Sequence, residues 1–378
     1  MISFNKPYLT GNETKYISDA VNKGHISGNG PYTKKCQSFF ENKYSFNKTL
    51  LTTSCTDALE MCAILLNIKQ NDEIIMPSYT FVSTANAFVR EGAKIIFADS
   101  KANHPNIDEN KIEELITNKT KAIVVVHYAG VACNMGKIMN IANKHNIYVI
   151  EDAAQAIDSY YKNKPLGSIG HLATFSFHET KNLQCGEGGL LVINDKQFEK
   201  RAEIIWEKGT NRSAFFRGEV NKYEWVDIGS SFLPSDINAA FLYAQLENLE
   251  NIQKQRINIW KQYYKQLKLL EEKGFIKLPI IPKYATNNAH MFYLTCNSET
   301  ERNDLITYLR ENSIYSVFHY LSLHKSTFYS NKHKNRELTN TDKFEKQLVR
   351  LPLFFEITTN EIKYIINVIF DYYKNIKI

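Results

Sequence analysis

Between about residues 50 and 195 the chain alternates short apolar runs with stretches whose apolar residues recur at helical spacing. The runs are Thr49–Thr52, Glu73–Met76, Lys94–Ala98, Lys121–His127, Ile147–Ile150, Leu172–Phe177 and Leu190–Ile193. Between them, Thr56–Asn67, Ser83–Arg90, Asp108–Thr117 and Met135–His145 carry the helical period. This βα rhythm predicts an α/β fold: a mainly parallel sheet with helices on both faces.

After Asn194 the pattern changes. A helix is expected through Lys208, followed by an aromatic and glycine-rich stretch from Gly209 to Ser231. A long helical pattern from Ser235 to about Glu272 reads as a spine joining two parts, residues 1–245 and 246–378. The second part is expected to be a small α+β unit. Its elements are a strand over Ala289–Cys296, a helix over Glu301–Asn312, a strand over Tyr315–His319 and a terminal helix over Asn360–Lys374. The polar loop from Lys325 to Asn340 is the expected mobile piece.

Composition narrows the class without naming a chemistry. With 378 residues, 43% of them hydrophobic, the chain buries a large core. Its net charge of +6 comes from 46 basic and 40 acidic residues spread along the chain, which argues against nucleic acid as a partner. No stretch approaches the ~18 apolar residues of a membrane span, and the first residues lack the pattern of a signal peptide, so a soluble, cytoplasmic protein is expected. Six cysteines (Cys36, Cys55, Cys62, Cys133, Cys185 and Cys296) show no paired metal-ligand spacing and read as reduced thiols, with no metal site.

The chemistry concentrates at strand ends. Phe175-Ser-Phe-His-Glu-Thr-Lys-Asn182 closes on Gly186-Glu-Gly-Gly189, which places one amine, Lys181, just beyond a buried strand. Glu151-Asp-Ala-Ala-Gln155 follows another. An acid at a neighbouring strand end is what a pyridinium nitrogen needs, so Lys181 and Asp152 together suggest pyridoxal phosphate. Thr52-Thr-Ser-Cys-Thr-Asp-Ala58 supplies hydroxyls and free N–H groups at a helix start, an anion site for a phosphate. Gln155 is placed to donate to the ring's phenolic oxygen, and Phe81 to stack on its face. Each residue also has a plainer reading: Asp152, Ser54 or Thr56 as an N-cap, Phe81 as core, Lys181 as surface.

At these segments, together with Ile75–Asn86, Val126–Cys133 and Glu207–Ser213, the chain resembles the pyridoxal-phosphate sugar aminotransferases of fold type I over essentially its whole length. The resemblance implies Lys181 as the lysine that bonds the cofactor's aldehyde and Asp152 as the partner of the ring nitrogen. It implies Gln155 as a contact of the ring oxygen and Phe81 as the stacking aromatic. Ser54, Cys55, Thr56 and Ser176 match the phosphate cup, and Asn211 matches an asparagine that completes the partner subunit's cup in a homodimer. The implied reaction takes the amino group of L-glutamate to C4 of dTDP-4-keto-6-deoxyglucose, giving dTDP-4-amino-4,6-dideoxygalactose for surface polysaccharide. The alternatives are a 3-keto sugar, the 4-amino gluco isomer, or a non-catalytic binder of sugar nucleotides. Tyr320, His324 and Arg212 are the expected substrate contacts, with Arg217 as a second candidate for a carboxylate or phosphate. The chain departs from the family at His319-Tyr-Leu-Ser-Leu-His324, which lacks the proline found before Leu-His in relatives.

Overall fold

A computed structural model describes residues 1–333 and 336–375. Seven strands form the central sheet: β1 (Lys48–Thr52), β2 (Glu73–Pro77), β3 (Lys94–Ala98), β4 (Thr120–Val126), β5 (Tyr148–Asp152), β6 (Leu172–Ser176) and β7 (Gly189–Ile193). Their order is β1-β7-β6-β5-β4-β2-β3. All neighbours run parallel except β7, which is antiparallel to both β1 and β6. The carboxyl ends of the other six strands therefore share one edge of the sheet, where open α/β sheets gather ligands.

Strand side chains alternate between two apolar layers. Ile123, Val125, Val149, Ala173 and Phe175 face one layer with α1 (Glu13–Asn22), α2 (Pro31–Tyr44), α5 (Met135–His145) and α7 (Asp236–Glu247). Ile74, Ile95, Val124, Ile150 and Leu191 face the other with α3 (Cys55–Leu65), α4 (Val82–Val89) and α6 (Glu199–Trp206). A separate apolar cluster joins α8 (Leu249–Glu272), α9 (Glu299–Glu311) and α10 (Thr359–Asn375) to a small sheet. That sheet holds β8 (Phe292–Thr295), β9 (Val317–Phe318) and β10 (Leu348–Leu351), with β10 in the middle.

Two expectations change. The single spine helix is two, α7 and α8, divided at Asn248, whose side chain caps backward by donating to Ala244 O at 3.3 Å. The helix expected over Asp108–Thr117 shrinks to one turn, Glu113–Leu115, because only Ile112 and Leu115 of that stretch are buried apolar residues. The loop expected from Lys325 to Asn340 follows a single turn at Leu323–Lys325, holds another at Ser330–Lys332 and ends in a helix that starts at Thr339; its residues 334 and 335 lie outside the described residues.

Candidate active site

A cavity of about 620 Å³ opens at the carboxyl edge of the sheet. The strand register brings its floor together, since Thr52 and Ser176 both pair with Gly189, and Val126 pairs with Asp152. Gly189 has a specific reason to be glycine. A Cβ there would sit 2.3 Å from the carbonyl carbon of Ser54 and 2.4 Å from the nitrogen of Cys55, so only a bare backbone lets the start of α3 lie against β7.

At that helix start Ser54 Oγ accepts from Asp57 N at 3.1 Å, and the helical ladder begins only with Ala58 N donating to Ser54 O. The N–H groups of Cys55 and Thr56 therefore stand outside the ladder beside the cavity. Thr56 Oγ1 donates to Ser83 Oγ at 2.8 Å, and Ser176 lines the same end. Burial pushes the Cys55 thiol well up, so it is a small neutral group here. Hydroxyls, free amides and the positive end of a helix dipole make an anion cradle.

Asp152, the last residue of β5, is buried and faces the cavity, not the N-terminus of a helix: residues 153–159 turn without forming one. Its Oδ2 accepts from Thr84 Oγ1 at 2.7 Å and its Oδ1 from Ala154 N at 3.1 Å. Burial nevertheless raises its pKa, and these two bonds only partly offset the desolvation. Gln155 is already engaged, accepting from Ala129 N at 2.7 Å and donating to the Tyr320 hydroxyl at 3.0 Å. Phe81 is 57% exposed and overhangs the cavity, with its ring 6.3 Å from that of Tyr320.

Lys181 lies in the turn after β6 and lines the cavity. Among the described residues no hydrogen bond or ion pair holds its ammonium. Desolvation lowers its pKa below the lysine range; Cys55 and Asp152 pull the other way, and Arg350 adds to the lowering. Arg350, Phe4, His290 and His319 also line the cavity, and sequence reasoning assigned none of them to it. The signal for Arg350 is a lone charge inside the buried run Leu348–Leu353. His290 and His319 are held neutral by burial; His290 Nδ1 bonds Asn182 Oδ1 at 3.0 Å and His319 Nδ1 bonds the Tyr128 hydroxyl at 3.0 Å.

Four expected residues lie outside this lining. His324 is committed elsewhere: its Nδ1 bonds Ser78 Oγ at 2.8 Å and its Nε2 lies 3.3 Å from Asp342. Asn211 is tied into its own loop, accepting from Glu224 N at 2.8 Å and donating to Lys222 O at 3.0 Å. Arg212 sits over the Phe216 ring at 5.3 Å, and both line a second cavity of about 900 Å³. Arg217 faces that cavity too, gripped by Glu203 and Glu219 at 2.8 and 2.7 Å.

The donor set around Lys181 fits a flat, phosphorylated aldehyde: a free amine, a buried acid across from it and an anion cradle at one end. Comparison with known proteins agrees. Residues 7–370 match the DegT/DnrJ/EryC1/StrS aminotransferase family. The chain is 32% identical over 372 residues to the uncharacterised protein MJ1066 of Methanocaldococcus jannaschii, covering 96% of this chain and 95% of that one. It is 30% identical to the spore coat polysaccharide biosynthesis protein SpsC of Bacillus subtilis, covering 99% and 97%. The putative sugar aminotransferase Spr1654 of Streptococcus pneumoniae, in its PMP form, superposes with a TM-score of 0.91 at 25% identity, over 99% of this chain and all of that one. The chain belongs to the DegT/DnrJ/EryC1/StrS aminotransferase family and is a sugar aminotransferase that depends on pyridoxal phosphate.

Proposed function

We propose that the enzyme moves the amino group of L-glutamate to C4 of dTDP-4-keto-6-deoxyglucose, giving dTDP-4-amino-4,6-dideoxygalactose. The observation that carries the chemistry is the unpaired, desolvated amine of Lys181 facing the buried Asp152 across one cavity. Pyridoxal phosphate supplies an electron sink for the carbanion formed at Cα of the amino donor. Asp152 would pair with the protonated ring nitrogen, and the start of α3 with Ser54, Cys55, Thr56 and Ser176 would hold the phosphate. Phe81, which overhangs the cavity, would stack on the ring. Lys181 Nζ would carry the proton from Cα of the amino donor to the cofactor, and its lowered pKa favours the neutral amine this needs. Gln155 fixes Tyr320 at the wall where the sugar is received. The same reading makes residues 1–245 the cofactor-holding part and 246–378 the smaller part, which supplies Tyr320 and Arg350 to the cavity.

The active unit in this reading is a homodimer. Asn211 and Arg212 stand away from their own Lys181 in a loop that also exposes Phe216 (72%) and Trp225 (82%), apolar area suited to a second copy of the chain. The nucleotide sugar is supported by the matching segments along the whole chain and by relatives such as SpsC, whose name places it in polysaccharide synthesis.

The test is the proton NMR spectrum of the product made from dTDP-4-keto-6-deoxyglucose, L-glutamate and pyridoxal phosphate. Small couplings at the sugar H4 are expected, which report an axial amine; large couplings, or no product, overturn the substrate assignment. In a parallel sample, Lys181→Ala is expected to abolish the change in cofactor absorbance that glutamate causes.

A further inference from the structure

Arg350 occupies an unusual position for a cation. It stands in β10, the middle strand of the small sheet, and its side chain lines the Lys181 cavity. Its Nε is buried without a hydrogen-bond partner, and among the described residues no acid pairs with its guanidinium. Phe4 lies under the group with its ring 4.7 Å away, and the phenols of Tyr79, Tyr128 and Tyr320 are the acidic groups that face it. A buried Nε–H left without an acceptor costs stability unless a ligand supplies one. The planar fork of Nε–H and one Nη–H matches a carboxylate in two parallel bonds. Among the described residues lining this cavity, Arg350 is the sole arginine, and both cavity histidines with lowered pKa are neutral.

We propose that Arg350 is the residue that binds a carboxylate of the amino donor, and so sets the enzyme's preference for an acidic amino acid. The assignment rests on the transamination proposed above. Its position supports a carboxylate over the substrate's phosphates. Arg350 lies deep enough to interact electrostatically with Lys181, where the donor's Cα must come, and the phosphate cradle at the start of α3 is built from other residues.

The two halves of the reaction separate the possibilities. Reaction with L-glutamate alone is followed by the absorbance of the bound cofactor in stopped flow. Binding of glutarate, a dicarboxylate that cannot react, is measured by calorimetry. The second half is started from enzyme loaded with pyridoxamine phosphate and mixed with the keto sugar. Arg350→Gln is expected to raise the glutamate concentration for half-maximal rate about 30-fold or more, as loss of a charge-assisted pair implies. It is also expected to abolish glutarate binding while leaving the keto-sugar half within about two-fold, since that half does not use the pair. Arg350→Lys keeps the buried charge but not the fork, and about a ten-fold weakening towards glutamate is expected; this variant serves if the glutamine form does not fold. Unchanged glutamate dependence in the lysine form, or a loss confined to the keto-sugar half, overturns the assignment. If wild-type enzyme answers glutamate but aminates no dTDP sugar, the substrate reading fails while the Arg350 result stands on the first half alone.

Discussion

Glu151 and Asp152 are neighbours at the end of one strand, both carboxylates and both buried, yet they face opposite sides of the sheet and meet opposite surroundings. Glu151 is saturated. Its oxygens accept from the N–H groups of Gly167, Ile169 and Gly170 at 2.6–2.9 Å and bond His127 Nε2 at 2.9 Å. Cys133 N donates to His127 Nδ1, which leaves Nε2–H to donate to the acid. Burial pushes the Glu151 pKa up, but the His127 bond and the glycine amides pull it below the usual value. Asp152 has two donors only, and burial wins. The lesson is that burial alone does not mark a functional acid. The mark is burial with donors missing, because the missing donor is the place reserved for the ligand.

The largest effect is expected from emptying the saturated site. Glu151→Ala orphans three backbone N–H groups and the His127 donor, so a loss of at least about 4 kcal/mol is expected in urea unfolding, at about 1 kcal/mol or more for each stranded donor. Because its folded pKa is lowered, the Glu151 contribution is present above the unfolded value near ~4.3 and is lost as pH falls through the folded one. A Glu151→Ala protein as stable as wild type breaks the comparison.

Asp152→Asn is expected to act in the other direction on stability and to strike binding instead. The raised folded pKa means the folded chain holds this proton more tightly than the unfolded one, so the stability of the cofactor-free protein falls as pH rises from near ~3.9 through the folded value. Asparagine removes that slope and leaves the cofactor-free protein at least as stable at neutral pH. Cofactor affinity, read by fluorescence titration, is expected to fall about 10- to 100-fold with loss of a charged hydrogen bond. An unchanged affinity removes Asp152 from the ring-nitrogen role.

The seven sheet strands were legible because each is an apolar run whose alternate residues enter two different cores, as Val124 and Val125 do. The residues beside Lys181 were legible where chemistry sits in one short segment, as Ser54-Cys55-Thr56 does. Arg350, His319 and Phe4 were not, because they reach the cavity from a different sheet and from the amino terminus, and no local period records a contact of that range. The N-terminal helices α1 and α2 were also missed; their apolar faces are interrupted by lysine and asparagine, and they are held by packing on α7, including the Asp236 carboxylate that accepts from Tyr32 N and Thr33 N. His324 shows the converse. Its sequence position suggested a ligand contact, and the fold spends both ring nitrogens on Ser78 and Asp342.

The finest test of the contrast lies one bond behind Asp152. Thr84 Oγ1 donates to Asp152 Oδ2 and is itself linked to Thr80 Oγ1 at 2.8 Å, so the hydroxyl orients the carboxylate. Thr84→Val keeps the shape and removes the donor. The Asp152 pKa is expected to rise further, because one of the groups that lowers it is gone. Stability of the cofactor-free protein is expected to stay within about 1 kcal/mol of wild type, since the protonated acid tolerates the loss. Cofactor affinity is expected to fall about five-fold, by the same ~1 kcal/mol for one bond to the ionised form. That loss should shrink as pH rises, because the ring-bound state needs the carboxylate ionised and higher pH supplies it. A pH-independent loss would mean that Thr84 shapes the cavity wall and does not act through the charge of Asp152.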